Sequence, residues 1–287
     1  MNSIAFDRIG GRGWQAFASL VGALMLLAGL TFIPTGAVAQ TISTTKHNLG
    51  SGGPGPNTFG GTSEICVFCH TPHGSDTSAV VPLWNRILNA TPSTTYTTYD
   101  SLGTSTLDGK TLPVGSVSIA CLSCHDGLQA MNAVINSPGS GTTVPMAGTW
   151  TAGVGTLSAV ASGLAYIGTD LRNDHPVGIQ YCGGNLTLAT PAAACKDPDF
   201  VAAKNADMGA SKVWWVGGAT RSKTDMILYT RGASAAETFN GGSTTTATGG
   251  EPFVECASCH DPHTAANPTF LRKSNANSAV CLSCHVK

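Results

Sequence analysis

Apolar positions fall into one long run near the N-terminus and many short ones after it. Gly13 to Ile33 is uncharged and mostly apolar, preceded by Arg8 and Arg12 and followed by Pro34 and the small-residue triplet Ala37, Val38, Ala39. That order predicts a secretory signal peptide over residues 1–39, cleaved after Ala39. The rival is an uncleaved anchor, since the run is long enough to span a bilayer. No cysteine lies near the cleavage site to carry a lipid and no twin-arginine pair is present, so export of the unfolded chain is expected. Further on, "KVWWVGGATRSKTDMILYTRG" has β-rich runs around Gly-Gly and predicts a hairpin near residues 213–231, while "GGSTTTATGG" reads as exposed loop.

Composition lowers the expectation of regular structure elsewhere. Charged residues are 11% of the 287-residue chain, whereas Gly, Ser, Thr and Ala are abundant. Such a chain favours loops and close backbone approaches over long amphipathic helices. The net charge of −1 gives no electrostatic case for a nucleic-acid or anionic-membrane partner.

The ten cysteines divide without remainder. Eight form four C-x-x-C-H sites: Cys66/Cys69/His70, Cys121/Cys124/His125, Cys256/Cys259/His260 and Cys281/Cys284/His285. On one helical turn, positions i, i+3 and i+4 share a face, so two thiols can form thioethers to haem vinyl groups while the imidazole points at the iron. Zinc sites or a disulfide framework are the alternatives, but neither requires a histidine after every second cysteine. Four haem c groups are expected. Cys182 and Cys195 remain, and in an oxidising compartment they read as one structural disulfide.

The eight histidines also divide equally. His70, His125, His260 and His285 are proximal ligands, leaving His47, His73, His175 and His263 as one spare histidine per iron. Bis-histidine ligation of all four irons is the expectation. Met131, Met146, Met208 and Met226 are the competing sixth ligands, without a shared sequence setting.

"CVFCHTPH" (66–73) and "CASCHDPH" (256–263) share C-x-x-C-H-x-P-H, and residues 121–125 and 281–285 are both "CLSCH". A unit therefore occurs twice, and the haems are expected in pairs. The predicted class is a multihaem c-type cytochrome, mostly irregular, with short α-helices at the haem motifs and a minor β-hairpin. Residues 40–287 read as a single tetrahaem domain, with haems 1–2 in 40–130, a haem-free wrapping insert in 131–250 and haems 3–4 in 251–287. Trp84, Trp214 and Trp215 are expected to pack the interior.

His73 cannot serve the iron of His70, because three residues span at most about 11 Å and the thioethers pin the chain on the proximal side. It must serve another, closely neighbouring haem, and the same holds for His263. The expected partners are the haem on His125 for His73 and that on His285 for His263, leaving His47 and His175 for the other two.

Together with "KHNLG" (46–50), "EICVFCHTPHG" (64–74), "PLWNR" (82–86), "CLSCHDG" (121–127) and "DHPVG" (174–178), these motifs resemble the OmcE-type tetrahaem extracellular cytochromes. The resemblance covers most of the mature chain and leaves the loops 136–170 and 185–250 unmatched. It implies an extracellular filament, a homopolymer with a continuous row of stacked bis-His haems and little secondary structure. It also implies a histidine that ligates a haem of the neighbouring subunit, for which His47, on the Gly-rich arm "HNLGSGGPGPNTFGG", is the candidate. Redox-partner cytochromes and an extracellular electron acceptor are the implied partners. A monomeric periplasmic shuttle, a multihaem reductase with one open haem and a structural adhesin are the rival readings.

Overall fold

The computed structural model describes residues 41–88, 96–139, 155–157, 163–208, 211–231 and 250–286. The chain divides into two units, Met1–Ala39 and Gln40–Lys287. The expected signal peptide, Met146 and most of "GGSTTTATGG" lie outside the described residues. Among the described residues, no helix is long and apolar enough to cross a membrane.

Helical turns form where the attachment motifs need them. The first motif has a 3₁₀ turn, Cys66–Phe68; the others lie on α1 (Ser116–His125), α2 (Cys256–Cys259) and α3 (Cys281–Cys284). Helix α1 has ten residues and buries Ser118, Ile119, Ala120 and Leu122. It stops at Asp126 because Gly127 takes φ 74°, and a Cβ there would stand 2.7 Å from the Leu157 carbonyl oxygen.

The described residues are otherwise mostly irregular, with one small antiparallel sheet among them. Strands β1 (Ile179–Gln180), β2 (Lys204–Met208), β3 (Ser211–Val216), β4 (Met226–Arg231) and β5 (Glu251–Val254) lie in the order β1-β5-β4-β3-β2. The hairpin expected near 213–231 is its β3–β4 pair, registered Trp214 to Leu228 and Trp215 to Ile227. Gly217 opens the turn, where a Cβ would fall 2.0 Å from Asp225 Oδ1. The sheet is larger than a minor hairpin, since β2 and β5 extend it on either side. Strand β1 has two residues and β5 contains Pro252, so neither shows a strand period in sequence. Strand β5 leads directly into α2, so the sheet crosses the expected boundary at residue 250.

Three apolar clusters fill the interior, and each touches attachment cysteines. Trp84, Val114, Ile119, Leu122 and Leu171 pack beside Cys69. Phe59, Phe68, Met131 and Leu157 pack beside Cys69 and Cys124. On the sheet, Tyr181, Trp214, Val216, Met226 and Leu228 pack beside Cys259 and Cys284. Trp84, Trp214 and Trp215 are all buried, as expected of packing residues. Cys182 and Cys195 form a disulfide at the sheet cluster's margin.

The Gly-rich stretch after His47 is not an extended arm. It folds back on its own chain: Phe59 N donates to the Leu49 carbonyl at 2.7 Å and Ser51 N to the Thr62 carbonyl at 2.8 Å. Phe59 is buried against Phe68. Glycine serves close packing here rather than reach, since a Cβ on Gly53 would lie 1.9 Å from the Asn48 carbonyl oxygen.

Candidate haem-binding sites

Three attachment histidines are aimed in one way. The Nδ1–H of His70 donates to the Pro82 carbonyl, that of His125 to the Ala165 carbonyl and that of His260 to the Thr269 carbonyl, each at 2.7 Å. A carbonyl only accepts, so the proton sits on Nδ1 and the Nε2 lone pair is left for a metal.

The segment that supplies the carbonyl is repeated along with the motif. In the first repeat, Thr71 N donates to the Leu83 carbonyl at 2.8 Å, Asn85 N donates to the Cys69 carbonyl at 2.9 Å, and His70 bridges Trp84. In the second, Asp261 N donates to the Phe270 carbonyl at 2.8 Å, Arg272 N donates to the Cys259 carbonyl at 2.8 Å, and His260 bridges Leu271. Residues 82–86 and 269–273 are thus equivalent beds for their motifs. "PLWNR" and "TFLRK" share too little sequence for the repeat to show, because the job is done by backbone atoms.

The "PLWNR" bed is fastened by its last two side chains, both fully buried. Asn85 donates to the Val67 and Asn136 carbonyls at 2.6 and 2.8 Å. Arg86 makes five hydrogen bonds, to Ser123 Oγ, the Ser123, Ala130 and Met131 carbonyls and Gln129 Oε1. The guanidinium therefore rests on the C-terminal end of α1, where unpaired carbonyls favour a cation. First and second motifs are tied together there.

Second and third motifs are tied by a different network. Glu255 forms a buried ion pair with Arg231 at 3.2 Å and accepts from Ser118 Oγ of α1 at 2.5 Å. Ser118 Oγ in turn accepts from Cys256 N at 2.9 Å. The Cys121 and Cys256 thiols hydrogen-bond to each other. Cys69 and Cys124 border one apolar cluster, and Cys259 and Cys284 border another. The motifs accordingly follow one another in space in their chain order.

Two of the remaining histidines face proximal ones, and one of these pairs joins the two repeats. His263 stands against His70 with ring centroids 6.3 Å apart and planes 15° apart. His47 stands against His125 at 6.1 Å and 71°. Its Nδ1 lies 3.3 Å from the Pro262 carbonyl and its ring stacks on Phe270 at 4.2 Å. Burial lowers the affinity of His175 for a proton, and His285 lies near enough to add to that effect. The Tyr99 hydroxyl holds the loop before His175 by donating to the Asp174 carbonyl. The expected partners of His73 and His263 are therefore not the ones found: His125 faces His47, and His70 faces His263. His73 is exposed and makes its hydrogen bonds through its carbonyl, which accepts from Thr71 Oγ1 and Asn136 Nδ2, both at 3.0 Å.

The donor set fits an iron held axially. Two imidazoles on one metal, each about 2 Å from it, place their ring centroids about 6 Å apart, the separation of both facing pairs. Burial pushes the His47 imidazole down to about 4 and also lowers His125, a direction that favours the neutral ring a ligand needs. Burial pushes the Cys69 and Cys284 thiols up to about 12. Among the described residues, no three His, Cys, Asp or Glu side chains converge as a bare-metal site requires. Met131 and Met226 are buried in apolar clusters.

Comparison with known families agrees with this chemistry. Residues 248–287 match the family described as "Doubled CXXCH motif". No curated protein matches the chain. The doubled motif points to a multihaem c-type cytochrome whose cysteines bind haem c covalently and whose role is electron transfer. Sequence reasoning missed the orienting carbonyls of Pro82, Ala165 and Thr269, which no side-chain pattern marks. It also passed over Asp261, which the contrast between "CHTPH" and "CHDPH" could have revealed.

Proposed function

We propose that the protein carries electrons over long distances through four covalently held haem c groups with bis-histidine ligation, as the subunit of an extracellular filament. The observation that carries this reading is the pair of facing imidazoles, His70 with His263 and His125 with His47, at 6.3 and 6.1 Å. Haem supplies a one-electron couple, and the chain's part is to orient the imidazoles, exclude water and hold neighbouring sites close. His263 lies three residues from His260 yet faces His70, so the first and third sites are within about 11 Å of shared backbone.

Facing pairs inside the chain engage His70 and His125, and His175 lies near His285, which leaves His260 and His73. His47 is engaged with His125, which favours His73 as the ligand exchanged between copies. In a head-to-tail assembly, His73 of one copy completes His260 of the next, a heterologous contact that propagates without closing. With every iron so completed, no position remains for a substrate, and the chain is an electron carrier rather than an enzyme. Redox-partner cytochromes and an extracellular acceptor are its partners, and cell-surface secretion its destination.

Native electron micrographs and carbon monoxide binding, on wild type and His73→Ala, test this. Wild-type filaments without carbon monoxide binding, and dispersed His73→Ala particles with one carbon monoxide-reactive haem, are expected. If only the His73→Ala filaments form normally with four six-coordinate haems, the exchange is not through His73. A dispersed wild type with one reactive haem favours instead the second reading, a multihaem reductase with its open position at His260.

A further inference from the structure

The two C-x-x-C-H-x-P-H segments differ at the residue after the attachment histidine, Thr71 in one and Asp261 in the other. Thr71 Oγ1 donates to the His73 carbonyl and leaves that ring alone. Asp261 Oδ1 stands 3.2 Å from His263 Nδ1 and also accepts from His263 N at 3.0 Å. Asp261 is itself held, its N–H donating to the Phe270 carbonyl at 2.8 Å and its carbonyl accepting from Thr264 N at 3.2 Å. His47, His70, His125, His175 and His260 all place Nδ1 on backbone carbonyls. Among the described residues, His263 alone has a carboxylate at that nitrogen.

A carbonyl and a carboxylate orient a ring equally well, but they differ in what they do to its electrons. A hydrogen bond to an ionised acceptor is roughly twice as strong as one to a neutral acceptor. It draws the Nδ1 proton outward and makes Nε2 a more basic ligand. A more basic axial ligand favours the higher charge on the iron, and hydrogen bonding beyond the ligands is one of the levers that set haem potentials. The negative charge of Asp261 works in the same direction.

We propose that Asp261 is a positioning residue that, through His263, makes the His70–His263 site the most reducing in the chain. This rests on the reading that His70 and His263 share one iron. The neighbouring His125–His47 site, whose rings both rest on neutral carbonyls, holds an electron more readily. Electrons therefore spend the least time at this site, and the path through the protein has a built-in rise there.

The test is a spectroelectrochemical titration of the haem-loaded protein as wild type, Asp261→Asn and Thr71→Asp, with low-temperature paramagnetic resonance of each. Asn keeps an acceptor oxygen near Nδ1 and removes the charge. One of the four one-electron steps, the lowest, should rise by about 59 mV or more, a tenfold change in its equilibrium, with the other three unmoved and all irons still six-coordinate. Thr71→Asp should lower one different step. Four unmoved steps in Asp261→Asn, or four that move together, overturn the proposal. His263→Met separates it from its premise: if all four haems keep their bis-histidine spectra, His263 is not an iron ligand, whatever Asp261 does.

Discussion

Leu83 and Phe270 occupy equivalent places in the two motif beds, and both hold left-handed backbone, at φ 57° and 61°. Neither residue type adopts this conformation readily, since Cβ crowds the carbonyl at a cost of about 1–2 kcal/mol. What it achieves is orientation: the carbonyl before each residue receives an attachment histidine, and its own carbonyl receives the residue after that histidine.

Glycine relieves that strain, and Leu83 is exposed enough that little burial is lost. Leu83→Gly should leave the melting temperature of the haem-loaded protein unchanged or raise it, by up to about 1 kcal/mol in stability. Leu83→Val, with branching at the crowded carbon, should lower stability by about 1–2 kcal/mol and broaden the spectrum of the His70 site. Equal melting of the two variants would show that the bend carries no strain.

Arg86 is a buried cation satisfied by carbonyls and hydroxyl oxygen, with no carboxylate among its partners. Arg86→Met matches its volume but strands several buried acceptors, at a cost on the order of 3 kcal/mol. Arg86→Lys should rescue only part of this, because an ammonium cannot reproduce the planar fork. Denaturant unfolding of the three proteins checks the order wild type, Lys, Met.

Burial pushes the Glu255 carboxyl up to about 7, against the pull of Arg231 and the Ser118 hydroxyl. Because the folded value lies above the unfolded 4.5, the folded state binds the extra proton between them. Its contribution is fully present below pH 4.5 and is lost as pH rises through 7. Glu255→Gln should therefore gain on the wild type between pH 5 and 8, by up to about 3 kcal/mol. Thermal melts across that range decide it, and parallel curves would refute it.

What could be read in sequence was whatever depends on near neighbours along the chain. The helical turns at Cys66, Cys121, Cys256 and Cys281, the β3–β4 hairpin and the Cys182–Cys195 link all follow from local spacing. The partners of His47 and His263 did not, because a histidine three residues from one site can turn either way, and the choice depends on where residues 269–273 lie. The Gly-rich stretch after His47 misled for a related reason: glycine permits both a loose tether and the closest packing, and only the Asn48 carbonyl beside Gly53 distinguishes them. Strand β5 was hidden by its Pro252, which sits opposite Thr230 in the pairing with β4.

The ligation proposed for His70 and His263 carries an order of maturation with it. A ribosome makes the N-terminal motif early and the C-terminal segment near the end, so His70 exists for most of synthesis without the ring that faces it. A chain cut short just before residue 263 keeps three complete attachment motifs and loses the imidazole that faces the histidine of the first. Under the proposed ligation, completion of the earliest site is thereby a check on the chain as far as residue 263, and a product cut short of it shows the damage at the opposite end.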